Sequence, residues 1–486
     1  GLSTDRSRAN IVFTVQEGPR LIVDHILIVG NVRTKTETIQ REVQFKPGDP
    51  LGQNAVNETQ RRLASLGLFR RTEITAIGRG ENQRDILIRV DEAPVTTIGY
   101  GGGAEANEKQ VPGDNGGATT RLEFAPRAFF EIGRRNLFGK NRSVNLFTRF
   151  AIRPKDSPIY TAQQSVLGTN GAYGLTEYRI LGTFREPHVF GTAADAVITG
   201  ALEQQVRSAF DFARRSVNLD VGRRLSSTLS ASGNYQIQTV RLFNDVVDPS
   251  EQLLVDRTFP QVRLSSFSTS LIRTTKNDPL DATEGTYLSA NAQLAARAIG
   301  SEVGFDKTYL RAQWFHELPR SNIVLATNAT LGLAHAFKRQ VVQPDGSVVD
   351  EDPGLPASER FFAGGDTTVR GFALDQLGIV SDDPTRATID QNGIAFGGNG
   401  LVVLNAELRV PYRKFQFVTF LDAGNVFAQP SDVDLSELRS SVGFGVRYKS
   451  PVGPIRVDLG FKTKRHVVAG NLESLTAIHI SLGQAF

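Results

Sequence analysis

The sequence predicts two parts: an α+β module with the element order β-α-α-β-β, then a 16-stranded antiparallel transmembrane β-barrel. Three observations carry that prediction. Helical periodicity is confined to the residues before Pro94. From there to the last residue, apolar and polar side chains alternate with a period of two, in sixteen separate segments. The connections between those segments alternate between short and long. No run reaches the roughly 18 apolar residues that a membrane helix needs. That does not bear on a barrel, whose strands cross the bilayer as short alternating segments.

Composition bounds the rest. At 486 residues the chain exceeds one ordinary domain. Its 55 Lys and Arg against 51 Asp and Glu leave a net charge of +4, too balanced for a nucleic-acid binder. With no cysteine there is no disulfide framework, thiolate metal site or cysteine nucleophile. Methionine is absent too, so the chain reads as a processed or excised fragment, and Gly1–Asn10 lacks the apolar stretch of a signal peptide.

Taken in order, NIVFTVQE (10–17) alternates like one strand and breaks at Gly18-Pro19. LIVDHILIVGN is a strand ending on a Gly30-Asn31 turn. Thr34 and Glu37 stand at capping-box spacing ahead of a short helix expected to run through Val43. A second helix puts Ala55, Val56, Leu63 and Leu66 on one face, with Gly67 as its stop. Strands at about Phe69–Ile77 and Asp85–Glu92 close the module, which spans residues 20–94.

In the second part, LVVLNAELRV sets Val402, Leu404, Ala406, Leu408 and Val410 against Asn405, Glu407 and Arg409. SVGFGVRY and PIRVDLGF alternate in the same way, with Arg447, Arg456 and Asp458 on the polar faces. Glycines and both signs of charge on one face, with a continuous apolar face opposite, are the pattern of a wet lumen inside a lipid-facing wall. The sixteen segments start near residues 97, 119, 143, 177, 195, 214, 227, 261, 286, 307, 322, 401, 415, 438, 454 and 475. The longest connection, 337–400, contains ERFFAGGDTTVRGF (359–372). Its glycines read as a loop, but Phe361, Phe362, Val369 and Phe372 suit a loop tucked into something, and a buried arginine there needs carboxylate partners.

These residues together resemble the BamA/TamA-type superfamily of outer-membrane proteins, in which periplasmic POTRA domains precede a 16-stranded barrel. The likeness covers essentially the whole chain. The module at 20–94 is similar to a POTRA domain in its Gly30-Asn31 turn, its Leu66-Gly67-Leu68-Phe69 corner and its closing IRVDEAP. Residues 1–19, ending VQEGP, resemble the remnant of a preceding POTRA domain. In the barrel at 95–486, NLFGKN (136–141), REPHVFG (185–191), VRGF (369–372), FLDAGNVF (420–427) and the terminal Phe486 match the family's patterns in order and spacing.

The resemblance implies that the VRGF loop (Val369, Arg370, Gly371, Phe372) folds back into the lumen, where Arg370 pairs with Glu407 and Asp422. Alternation independently puts Glu407 on the polar face, whereas Asp422 shares its face with Val418 and Phe420. A POTRA edge strand carrying Phe69, Ile74 and Ile77 is expected to take extended peptide by strand addition. A lateral seam is expected where the first strand, weakened by Gly101, Gly102 and Gly103, meets the last, with Ile480, Leu482 and Phe486.

Motifs for chemistry are missing. GRRNLFGKN (133–141) only brushes the P-loop pattern and lacks its Ser/Thr, and the glycine clusters sit in β context. No G-x-S-x-G occurs, and the six histidines never fall at HExxH spacing. The expectation is therefore a non-enzyme without metal or cofactor: an outer-membrane factor that folds and inserts β-barrel proteins by templating strands at its seam, with the POTRA domain in the periplasm. Its implied partners are unfolded outer-membrane β-barrel clients and outer-membrane lipid, with room for periplasmic or lipoprotein accessory subunits and no nucleic acid. The alternative within the same superfamily is a polypeptide-secretion pore; a passive porin with a soluble domain attached is a third reading.

Overall fold

A computed structural model describes residues 20–78, 80, 82–112, 118–154, 173–206, 211–243, 261–342, 348–351, 354–381, 383, 385–390, 393–450, 453–468 and 470–482. The expected POTRA remnant at 1–19 and the terminal Phe486 lie outside these residues. The chain divides into two compact units, residues 1–97 with 133–144, and residues 98–132 with 145–486.

In the first unit, β1 (Ile22–Val29), α1 (Thr36–Gln40), α2 (Gln53–Ser65), β2 (Phe69–Gly78) and β3 (Gln83–Glu92) follow one another. The sheet order is β1-β3-β2, with β1 parallel and β2 antiparallel to β3. Alternation in β3 sends Ile86, Ile88 and Val90 inward, where they meet Val23, Ile39, Phe45 and Leu63. Gly30, at φ +91, is required where the chain leaves β1, because a Cβ there would run into the Val90 carbonyl.

Two local expectations are corrected. Thr34 and Glu37 form no capping box. The residue preceding α1 is Lys35, without a side-chain cap, and Thr34 instead donates its hydroxyl to Glu92 Oε1 at 2.6 Å. A carboxylate on β3 outcompetes the helix for that hydroxyl. α1 also stops at Gln40 rather than Val43, since the following residues tighten into i→i−3 turns and Pro47 disfavours helix before it.

The second part is a 16-stranded antiparallel sheet. Its strands are β4 (Thr96–Pro112), β5 (Ala118–Leu137), β6 (Arg142–Pro154), β7 (Tyr173–Glu186), β8 (Ala194–Val206), β9 (Asp211–Arg224), β10 (Leu229–Phe243), β11 (Gln261–Thr274) and β12 (Gly285–Ala295). After these come β13 (Phe305–Glu317), β14 (Val324–Ala336), β17 (Gly400–Tyr412), β18 (Phe415–Phe427), β19 (Arg439–Ser450), β20 (Gly453–Lys462) and β23 (Thr476–Leu482). Small hairpins, β15–β16 (Arg339–Val342, Val348–Glu351) and β21–β22 (Val467–Val468, Asn471–Leu472), interrupt two connections that read as loops. Each strand pairs with its neighbours in the chain, an up-and-down order running from β4 to β23.

The two faces of this sheet differ sharply. On β18, Phe417, Thr419 and Leu421 are exposed while Gln416, Val418, Phe420 and Asp422 are buried. Inner-face side chains of β10, β13, β17, β20 and β23 reach the single segment 354–399, which requires the sheet to curl round it. Phe361, Val369, Phe372, Leu377 and Phe396 of that segment form one apolar core with Val240, Leu264, Phe305, Val403 and Val426 of the wall. The inner face is thus not uniformly polar and wet, as its glycines and charges suggest. Where the segment packs, the wall is apolar. Outside, Tyr412, Phe415, Phe417, Tyr448 and Trp314 are exposed near one end of the strands, the position of an interfacial aromatic girdle.

Candidate functional site

Segment 354–399 is held by charge as well as by packing. Arg370 is 1% exposed and uses most of its donors. Its Nε and one Nη donate to the two oxygens of Asp422 at 2.7 and 2.9 Å, a bidentate fork, and its backbone N–H donates to the same carboxylate at 3.0 Å. The other Nη donates to Glu407 Oε1 at 2.6 Å and lies 3.5 Å from Asp458. The guanidinium also sits over the Phe420 ring.

Around this fork the strands contribute further charges. Glu407 receives Arg447 at 2.6 Å and Arg409 at 2.8 Å, so three arginines share one carboxylate. Arg456 reaches Asp366 of the loop at 2.6 Å and Asp458 at 3.3 Å. Four arginines (370, 409, 447, 456) are therefore balanced by Glu407, Asp422, Asp458 and Asp366. Pairing of this kind offsets the cost of burying charges that would otherwise be prohibitive. Asn405 donates to Asp422 at 2.9 Å and to the Thr368 carbonyl at 2.6 Å, and receives Asn328 at 2.9 Å.

Next to Arg370 the backbone allows only glycine. Gly371 has φ +98, and a Cβ would come 2.8 Å from Ser441 Cβ. Its neighbour on the wall, Gly460, is equally constrained, since a Cβ there would lie 2.5 Å from the Gly371 nitrogen. Gly371 N–H donates to His479 Nε2 at 3.4 Å, and Ser441 Oγ donates to the Arg370 carbonyl.

Sequence reasoning singled out Arg370, Glu407 and Asp422 but gave no role to Arg409, Arg447, Arg456 or Asp458. The signal for them was present, because all four fall on polar faces in strands whose other face is apolar. Val369 and Phe372 belong to the loop's core, at 0% and 1% exposure.

The seam residues occupy the ends of the strand order. Gly101–Gly103 lie in β4, and among the described residues no ladder joins β4 to β23. Among the described residues, which end at Leu482, β23 pairs with β20 from Phe461↔Thr476 to Ile455↔Leu482. Ile480 is exposed beside Ile478, while His479 between them is buried. Leu482 faces Ile455 in that ladder, and Phe486 lies outside the described residues. In the first unit β2 is an edge of its sheet; Phe69 and Ile74 pack toward the module's core and Ile77 is exposed.

The NLFGKN turn belongs to the first unit. Gly139, at φ +72, passes so close to Arg33 that a Cβ would lie 2.6 Å from its carbonyl, and the Gly139 carbonyl accepts from Lys35 N at 3.0 Å and Thr38 Oγ1 at 2.8 Å. Asn136 donates to Thr34 Oγ1 at 2.8 Å. That hydroxyl in turn donates a hydrogen bond to Glu92, whose carboxyl burial would raise; the bonds from Thr34 and Arg33 instead hold it below the usual range. Among the described residues, the grouping spaced for a metal ion is Asp24, His25 and Asp85, at a partly exposed surface where His25 Nδ1 lies 3.2 Å from Asp24 and 3.3 Å from Asp85.

Residues 136–486 match the Omp85 superfamily domain, and residues 21–93 match POTRA, described as a surface antigen variable number repeat. The outer membrane protein assembly factor BamA of Neorickettsia risticii is 24% identical over 462 residues, covering 93% of this chain and 54% of that protein. BamA of Nitratidesulfovibrio vulgaris is 21% identical over 478 residues, covering 94% of this chain and 51% of that protein. The chain thus spans about half the length of these relatives. Among solved structures, BamA from Haemophilus ducreyi lacking POTRA domains 1–3 is similar with a TM-score of 0.69 at 18% identity, over 96% of this chain and 85% of that one. CdiB from Acinetobacter baumannii is similar with a TM-score of 0.51 at 11% identity, over 94% and 73%.

Proposed function

The chain belongs to the Omp85 superfamily, outer-membrane proteins with POTRA domains in the periplasm, and from that premise we propose that it folds and inserts other β-barrel proteins by templating their strands at a lateral seam. The observation that carries this reading is that β4 and β23 stand at the two ends of the strand order, with no ladder between them among the described residues. An unpaired edge is prohibitive in hydrocarbon, so a client strand gains most from an edge that offers it backbone partners within the bilayer. Gly101, Gly102 and Gly103 bring no side-chain packing to that junction.

In this reading a POTRA domain occupies residues 20–94, a barrel begins at 95, and residues 1–19 end a preceding POTRA domain. β2 receives extended client peptide by strand addition. Arg370 with Glu407 and Asp422 locks the loop of 337–400 into the lumen and so holds the wall in shape beside the seam. Clients and outer-membrane lipid are the partners, with periplasmic or lipoprotein subunits assisting, and no chemistry is performed. The packing of Phe361, Val369 and Phe372 into the wall argues against a polypeptide-secretion pore, because segment 354–399 would first have to leave.

The absence of native cysteine makes the test clean. One cysteine is placed at Ile98 and one at Ile480, with register adjusted until a disulfide forms. Oxidation should abolish client insertion into liposomes and reduction should restore it. Insertion at the unlocked rate by the oxidised protein would sink lateral opening and favour transport through the lumen.

A further inference from the structure

We propose that the outer face of the sheet carries a binding site for an anionic glycerophospholipid, far from the seam, between β9 and β17. The site rests on the membrane-spanning reading above. Its floor is a set of small side chains. In register across the sheet, Arg273 of β11 faces Leu288 of β12, Leu288 faces Ala312 of β13, Ala312 faces Ala329 of β14, and Ala329 faces Leu404 of β17. One level along, Leu271 faces Ala290, and Ala290 faces Leu310. The three alanines leave a hollow of about 540 Å³ walled by leucines, on the face where Leu271, Leu288, Leu310 and Leu404 are exposed.

A hollow of this size on a lipid-facing wall must be filled, because an apolar void forfeits its dispersion contacts. An acyl chain is the occupant the bilayer supplies. What distinguishes the site from ordinary wall is charge at one rim. Arg273 lines the hollow itself, and Arg223 of β9 stands on the same outward face, in the row of the exposed Val217, Leu219 and Val221. Arg223 pairs in register with Ala231 and Arg273 with Leu229, so the two flank β10. With strands about 4.8 Å apart and the two levels two residues apart along β10, their backbones are roughly 12 Å from each other, and two long side chains still reach one headgroup phosphate jointly. Neither makes an ion pair or side-chain hydrogen bond among the described residues, although both are long donors at an apolar surface.

The rim also lies at a defined level. In an up-and-down sheet, β4 begins at the same end as the turns at 225–228, 275–284 and 413–414. β4 follows the POTRA unit directly in the chain, so this end faces the periplasm, and Arg223 and Arg273 stand one residue from the ends of β9 and β11 there. Outward cations at that depth meet the phosphates of the periplasmic leaflet while the hollow takes a chain beneath them.

The chain's single tryptophan, Trp314, reports on this site, since it is exposed on the same face two residues from Ala312. The protein is reconstituted in mixed vesicles of phosphatidylcholine and phosphatidylglycerol in which one or the other lipid is brominated, and Trp314 fluorescence is read. Brominated phosphatidylglycerol should quench with a relative affinity roughly tenfold above that of phosphatidylcholine. The double variant Arg223→Gln, Arg273→Gln should quench equally with both. Filling the hollow with Ala290→Leu and Ala312→Leu, charges intact, should also lower the preference. Equal quenching in the unsubstituted protein, or a preference that survives the double arginine variant, would overturn the site. Absence of quenching by either lipid would instead overturn the membrane-spanning reading on which the site depends.

Discussion

The guanidinium of Arg370 rests 3.6 Å from the centroid of the Phe420 ring. This contact accounts for the mixed inner face of β18. Phe420 shares the side of Asp422 because it forms the bed on which the loop arginine lies, with Asp422 one step further along gripping its fork. An apolar residue on an inner face is here a docking surface and not a flaw in the alternation.

Removing this arginine should cost the full amount expected of a buried pair. Arg370, Glu407 and Asp422 are each 1% exposed or less, so Arg370→Ala leaves carboxylates without their central cation, a loss of about 3–5 kcal/mol. Arg370→Lys should recover little, because one ammonium cannot serve Asp422 bidentately and Glu407 together. Thermal unfolding in detergent, with and without each substitution, measures this. A melting temperature unchanged in Arg370→Ala would remove the clamp.

Unfolded barrel peptide titrated into the protein should perturb β2, the edge strand of the first unit. Amide protection is expected to rise at alternate positions from Arg71 to Ile77, as a newly added strand forms its ladder. Protection changes confined to α1 and α2 would mean that this unit docks its partner in another way.

Acid should loosen the first unit through Glu92. Its carboxyl lies below the usual range when folded, so its contribution is fully present above the unfolded value of about 4.3 and is lost as the pH falls through the depressed folded value. Hydrogen exchange of β3 in the intact protein should accelerate over that acid window, and Glu92→Gln should flatten the dependence. An equal pH response in both proteins would assign the effect to other groups.

The sheet was unusually legible because a barrel wall repeats one rule, apolar outward, at every second residue. Strand starts expected near 261 and 415 are found at Gln261 and Phe415, and the others fall within a few residues. What the rule could not supply was the identity of the long connection's surroundings. Alternation marks Arg409, Arg447, Arg456 and Asp458 as inward, but nothing local says that they join one charge cluster with Glu407, Asp366 and the loop arginine; that depends on curvature accumulated over many strands. Thr34 failed for a related reason. Its spacing to Glu37 is a local signal, and a carboxylate from β3, 58 residues away, overrode it.

The loop's fastenings also impose an order on the protein's own folding. Asp422 and Glu407 are available once β17 and β18 have formed, but His479, and Ser481 with its 2.9 Å bond from Arg456, arrive only with the last strand. Segment 354–399 is made before β18, β19, β20 and β23, yet its seat includes side chains from all of them. It must therefore wait, folded loosely or held elsewhere, while roughly the final hundred residues are laid down. Contacts that close so late, across so much intervening chain, are slow to form. The segment enclosed by the sheet is thus the part of this chain whose seat is completed last.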